Sequence, residues 1–134
     1  MYLRNDYIFI ALLFAVLVSA CVQKTLAVSD VAEKRGDLLN QDVSVEGIAG
    51  MGKLRCTLMA CPEENPCCNR CGGSLALTDS KSSVEIRGLG AGCSGSECSQ
   101  TCHPLKQGKK YIVTGTLKES YGELYIELKS LREI

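Results

Sequence analysis

The stretch that decides the fold is Tyr111-Ile112-Val113-Thr114-Gly115-Thr116-Leu117, followed by Ser120-Tyr121-Gly122 and then Leu124-Tyr125-Ile126-Glu127-Leu128. The first run is rich in β-branched residues, which suit a pleated, half-buried surface. In the second, Leu124, Ile126 and Leu128 fall on one face and Tyr125, Glu127 and Lys129 on the other, the period-two pattern of a strand with one buried side. Two such strands joined by a short turn containing glycine predict a β-hairpin.

Upstream the same period recurs. Val43, Val45 and Gly47 alternate with Ser44, Glu46 and Ile48. Leu75 and Leu77 mark a second strand, Asp79-Ser80-Lys81-Ser82 is turn chemistry, and Val84 and Ile86 alternate with Glu85 and Arg87 in a third. Ahead of the strands, Ser29 or Asp30 is placed to cap a short helix, with Glu33 in its first turn and Val31, Arg35, Leu38 and Leu39 following. The expected class is mainly β: five strands, a short N-terminal helix and two long cysteine-rich loops, Gly50–Gly73 and Gly88–Gly108. Val43-Ser44-Val45-Glu46-Gly47 resembles the first strand of many OB-folds, and the pair Tyr111-Ile112-Val113-Thr114-Gly115 and Leu124-Tyr125-Ile126-Glu127-Leu128 resembles their closing hairpin. The resemblance runs from about Gln41 to Leu131 and implies a small five-stranded OB-fold-like barrel. Gly90, Gly92, Gly95 and three cysteines argue against the helix such folds usually carry between strands three and four. A β-sandwich is the alternative, for which five strands are few.

Nine cysteines in 134 residues are the outlying feature of the composition. Their density implies an oxidising compartment or metal sites. The N-terminus bears on that choice. Met1–Asp6 is short and polar, Tyr7–Val18 is unbroken apolar sequence, and Ser19-Ala20-Cys21 follows, the layout of a secretory signal peptide. Val18-Ser19-Ala20-Cys21 resembles the lipobox of bacterial lipoproteins. That resemblance implies cleavage before Cys21 and acylation of its sulfur. It divides the chain into a signal peptide at 1–20, a lipidated tether at 21–28 and a cysteine-rich domain at 29–134. The expected address is an exported, membrane-anchored lipoprotein, on the outer membrane if the host is Gram-negative. Plain secretion and an uncleaved anchor are the alternatives, although the apolar run is short for a membrane span.

With Cys21 set aside, Cys56, Cys61, Cys67, Cys68, Cys71, Cys93, Cys98 and Cys102 remain, an even number that fits a fully paired set. Adjacent Cys67 and Cys68 must take different partners, and connectivity is otherwise open among 105 pairings. The meander brings both cysteine clusters to one pole, where they would pin loops with few apolar residues. A metal site is the rival. Cys68 and Cys71 have zinc-knuckle spacing, and Cys102-His103 adds a nitrogen donor, so zinc is the alternative cofactor to none. Thiol-disulfide exchange at Cys68 and Cys71 is the enzymatic alternative, with Arg70 between them to favour thiolate.

Fifteen basic and fifteen acidic residues leave no net charge to attract a polyanion. The segment after Cys21 contains no Phe or Trp and only three tyrosines, few platforms for stacking bases. No nucleic acid is expected as partner. Lys106, Lys109 and Lys110 read as protection of a strand edge. The functional expectation is a non-enzymatic, lipid-anchored binding or interaction domain with a protein or cell-envelope ligand.

Overall fold

The computed structural model describes residues 23–134, so the apolar segment and Cys21 lie outside the described residues. The protein is mainly β. Its elements are β1 (Thr25–Ala27), α1 (Val28–Glu33), α2 (Arg35–Leu38), β2 (Asp42–Cys56), β3 (Arg70–Thr78), β4 (Ser83–Arg87), β5 (Gly92–Ser96), β6 (Ser99–His103), β7 (Lys110–Ser120) and β8 (Glu123–Glu133).

The alternation read from the sequence places the core. Val43, Val45, Leu75, Leu77, Val84, Ile86, Val113, Leu117, Ile126 and Leu128 are all buried. β2 is long enough to serve two neighbours. Its first half pairs with β7 (Val45 opposite Val113), and its second half pairs with β3 (Ala49 opposite Leu77). β7 and β8 form the hairpin, β8 runs parallel to β4 (Ile126 beside Ile86), and β4 pairs with β3. The pairings therefore lead from β2 through β7, β8, β4 and β3 back to β2. The hairpin turns on Tyr121 and Gly122, whose φ values are 52° and 80°. Two consecutive positive φ angles define the type I′ turn that matches strand twist; glycine takes this conformation freely and tyrosine rarely does.

Several features differ from the sequence expectation. Among the described residues the sheet has eight strands rather than five, in the order β1-β2-β7-β8-β4-β3-β5-β6. β1, β5 and β6 lack the hydrophobic alternation that marks a strand, and their backbone partners hold them instead. The expected tether does not run free to residue 28, because Thr25–Ala27 pairs in parallel with Ser44–Glu46 and Leu26 is buried. The expected helix breaks at Lys34 into two short pieces. Asp30 acts at the helix start as its type suggests: its carboxylate accepts the Ala27 N–H at 3.1 Å. Val28 and Val31 enter the core from α1.

The two cysteine-rich stretches are not simply loops. Cys71 lies on β3, and Cys93 and Cys102 face each other across the β5–β6 hairpin. Among the described residues, only 57–69 remain irregular as a long connection. Leu105, in the stretch read as loop, is completely buried in the main core.

Candidate functional site

The eight cysteines of the described residues form four pairs, Cys56–Cys71, Cys61–Cys68, Cys67–Cys98 and Cys93–Cys102. Cys56–Cys71 and Cys93–Cys102 each join directly opposed residues of neighbouring strands, with Cα atoms 4.0 Å apart. Cys67–Cys98 ties the 57–69 connection to the turn of the β5–β6 hairpin, bringing the two clusters together at one pole as the meander implied.

Cys68 and Cys71 are not partners. They sit in different disulfides, and Cys102 sits in a third. The alternative zinc set of Cys68, Cys71, Cys102 and His103 is therefore not brought together as free donors, and exchange at a Cys68–Cys71 pair has no disulfide to work on. The physical reason is register: β2–β3 pairing puts Cys71 opposite Cys56, and the chain then folds back to bring Cys68 to Cys61. His103 ends β6 with its side chain exposed.

The segment 57–69 is organised by one side chain. Asn69 is buried. Its Oδ1 accepts the Met59 N–H at 2.8 Å and the Thr57 hydroxyl at 3.1 Å. Its Nδ2 donates to the Met59 carbonyl at 3.2 Å and to Glu97 Oε2 at 3.2 Å. Every polar atom of the amide is used, and the buried side chain specifies the path of the backbone around it.

A groove of about 530 Å³ lies between α1–α2, the β3–β4 face and the start of β8. Its floor is made of small residues, Gly52, Ser74 and Ala76, and its charged rim of Arg35, Lys53, Glu85 and Glu123. Gly52 is required by close approach. The β2–β3 register shifts between Met51 and Leu54, and a Cβ at Gly52 would stand 2.3 Å from the Ser74 hydroxyl. That hydroxyl accepts the Lys53 N–H at 2.9 Å. The irregularity turns Lys53 toward Glu123, and the ion pair closes one end of the groove. The ammonium holds the Glu123 carboxyl below the usual carboxylate range, chiefly through the hydrogen bond from Lys53.

Opposite, Arg87 donates to Glu85 at 2.9 Å and stacks 4.1 Å from the centre of the Tyr125 ring. Its pKa is raised, first by the hydrogen bond to Glu85. The rim charges are thus balanced in sign, two cations against two carboxylates, with no single-sign field. Tyr121, at the hairpin tip beside Gly122, is fully exposed.

A second cavity of about 400 Å³ lies where β1 meets β2, lined by Leu26, Gly47, Ile48, Asp79 and Lys110 among others. Asp79 accepts backbone N–H groups from Ser29, Lys81 and Ser82 at 2.7–2.8 Å. Those bonds, Lys81's first, lower its pKa to about 2. It fastens the β3–β4 turn to the start of α1. Lys110, the first residue of β7, pairs with Glu46 and Lys109 reaches Glu133, so two of the three lysines of this basic run are engaged in strand-edge ion pairs.

Sequence reasoning missed the groove. Its floor comes from small residues at separated positions, which carry no periodic signal. It also missed Asn69, whose role depends on Met59 and Glu97 being folded around it.

No protein-family model and no curated protein matches the chain. Among solved structures, one described as "Crystal structure of a putative aspartyl-tRNA synthetase from Leishmania major Friedlin" matches with a TM-score of 0.47 and 11% identity over 84% of this chain. This chain spans about a fifth of that one, 21% of its length.

Proposed function

We propose that the protein is a non-enzymatic binding module of the cell envelope, held at a membrane by lipid on Cys21 and braced by its disulfides. The observation that carries this reading is the parity of the cysteines: eight pair among themselves, leaving Cys21, within the lipobox-like Val18-Ser19-Ala20-Cys21, as the ninth.

In this reading β2, β3, β4, β7 and β8 are the five strands of an OB-fold-like barrel, with α1 plugging one end through Val28 and Val31. The circular order of pairing and the parallel β4–β8 pair support it. Ligands of such folds lie across the second and third strands, flanked by the first and fourth loops. Here that is the β3–β4 groove with Tyr121 and Gly122 at one end. Its balanced charge and small floor favour a neutral or zwitterionic protein or envelope ligand over a polyanion. In this reading Cys68 and Cys71 serve in two different disulfides, Cys61–Cys68 and Cys56–Cys71, as braces of the fold.

Mass spectrometry of the membrane-purified protein is the test. The proposal predicts a mature N-terminus at Cys21 carrying added acyl mass, and loss of both in Cys21→Ala. An N-terminus elsewhere, or no lipid mass, overturns the anchor. Titration of labelled single-stranded oligonucleotides is expected to show no binding at physiological salt. Micromolar, salt-sensitive binding would overturn this reading and assign the groove to nucleic-acid binding.

A further inference from the structure

Residues 56–71 form an arm whose surface is laid out in a simple order. At its base, where Cys56 joins Cys71, stand Arg55 and Arg70, both exposed. Midway are Leu58 and Met59, 97% and 56% exposed. At its tip, beyond Cys61–Cys68, the turn Pro62–Asn65 carries Glu63 and Glu64, both exposed. Among the described residues none of these four charged side chains has an ion-pair partner, although seven other pairs form.

The apolar pair is not left outside by looseness. Thr57 N donates to the Arg70 carbonyl at 2.9 Å, Arg70 N donates to the Thr57 hydroxyl at 3.0 Å, and Asn69 holds Met59 by two hydrogen bonds. Disulfides close the segment at both ends. An apolar surface fixed in this way loses little further freedom on binding, the condition under which a small contact becomes effective.

We infer that this arm is a self-association surface and that its partner is the same arm of a second copy of this chain. The order basic–apolar–acidic is self-complementary under a two-fold axis perpendicular to the arm through Leu58 and Met59. Two arms lying antiparallel bring the apolar pairs together and set Arg55 and Arg70 of each against Glu63 and Glu64 of the other. This is the reciprocal contact of an isologous dimer. From Cys56 to Pro62 the arm is at most about 20 Å long at strand rise. Two such arms bury less than the 1,200–2,000 Å² of a standard interface, so the dimer is weak and concentration-dependent. Among the described residues, the N-terminal strand β1 pairs with β2 at Ser44–Glu46, about ten residues before the arm, and makes no strand pairing with it.

Two differently tagged copies of the full chain, co-expressed and extracted in mild detergent, test this by co-purification. The wild-type copies are expected to co-purify. Leu58→Asp should reduce recovery roughly tenfold or more, as expected for a central anchor. Arg55→Glu with Arg70→Glu, carried on both copies, should also abolish it, as should Glu63→Arg with Glu64→Arg. Expressing one charge-reversed form with the other should restore it, which a misfolded variant could not do. Failure of the wild-type copies to co-purify, insensitivity to these changes, or no restoration by the mixed pair overturns the inference. So does a monomeric chain retained by anionic phospholipid vesicles through Leu58, which would assign the surface to a bilayer.

Discussion

The body around Leu75, Leu77 and Ile126 and the arm of residues 56–71 are held by different physics. The body is an aliphatic core in which strand after strand contributes inward-facing Val, Ile and Leu. In the arm, Leu58 and Met59 point outward, and order comes from disulfides and from Asn69. Burial supplies the free energy in the first region. Covalent restriction of the unfolded chain supplies it in the second. A short chain can thus fold an ordinary core and still carry a surface that no hydrophobic contribution would order.

The sharpest separation comes from cavity formation. Leu75 and Leu77 are fully buried, and truncating either to alanine is expected to cost about 2–5 kcal/mol in denaturant unfolding, whether or not the disulfides are intact. Disulfide removal should act in the other region. The Cys67–Cys98 link spans 31 residues and Cys61–Cys68 spans seven, so Cys67→Ser with Cys98→Ser should cost about 3–4 kcal/mol against about 2–2.5 kcal/mol for the shorter pair. Limited proteolysis after reduction should cut within residues 57–69 and 89–103 well before the body strands. Simultaneous cleavage everywhere would erase the distinction between the regions.

Asn69→Ala leaves the Met59 N–H and carbonyl without their partner. A local loss of about 1–3 kcal/mol is expected, read as faster amide exchange in the arm with body amides unchanged. Tyr121→Asn should stabilise the hairpin by up to about 1 kcal/mol, because asparagine tolerates the positive φ better; unchanged melting would show that the turn stores no strain. The smallest effect concerns pH. Asp79 has its folded pKa lowered to about 2. Its contribution is therefore complete above the unfolded value near 4 and is lost as pH falls from there toward 2. Asp79→Asn should flatten acid unfolding across that window, with no change at neutral pH in the slope of stability against pH.

Legibility followed the same division. Val43 and Val45, Leu75 and Leu77, Val84 and Ile86, and Ile126 and Leu128 announce their strands by alternation, because burial on one face is what stabilises them. β5 reads Gly-Cys-Ser-Gly-Ser and offers no such signal. It is a strand because Gly72 and Gly73 of β3 lie on one side and Cys102 opposes Cys93 on the other. Leu105 entered the core from a stretch whose glycines and cysteines pointed to loop. Cysteine parity was readable, but connectivity required the β2–β3 register that sets Cys56 against Cys71. The groove was not readable at all, since it depends on Gly52 and Ser74 meeting across an irregularity in that register.

Peptide mapping of the unreduced protein, with thiols blocked before digestion, tests the division between the two regions most directly. The account predicts four linked pairs, Cys56–Cys71, Cys61–Cys68, Cys67–Cys98 and Cys93–Cys102, and no blocked thiol among these eight residues. A Cys68–Cys71 link, or several free thiols accompanied by bound zinc, would contradict it.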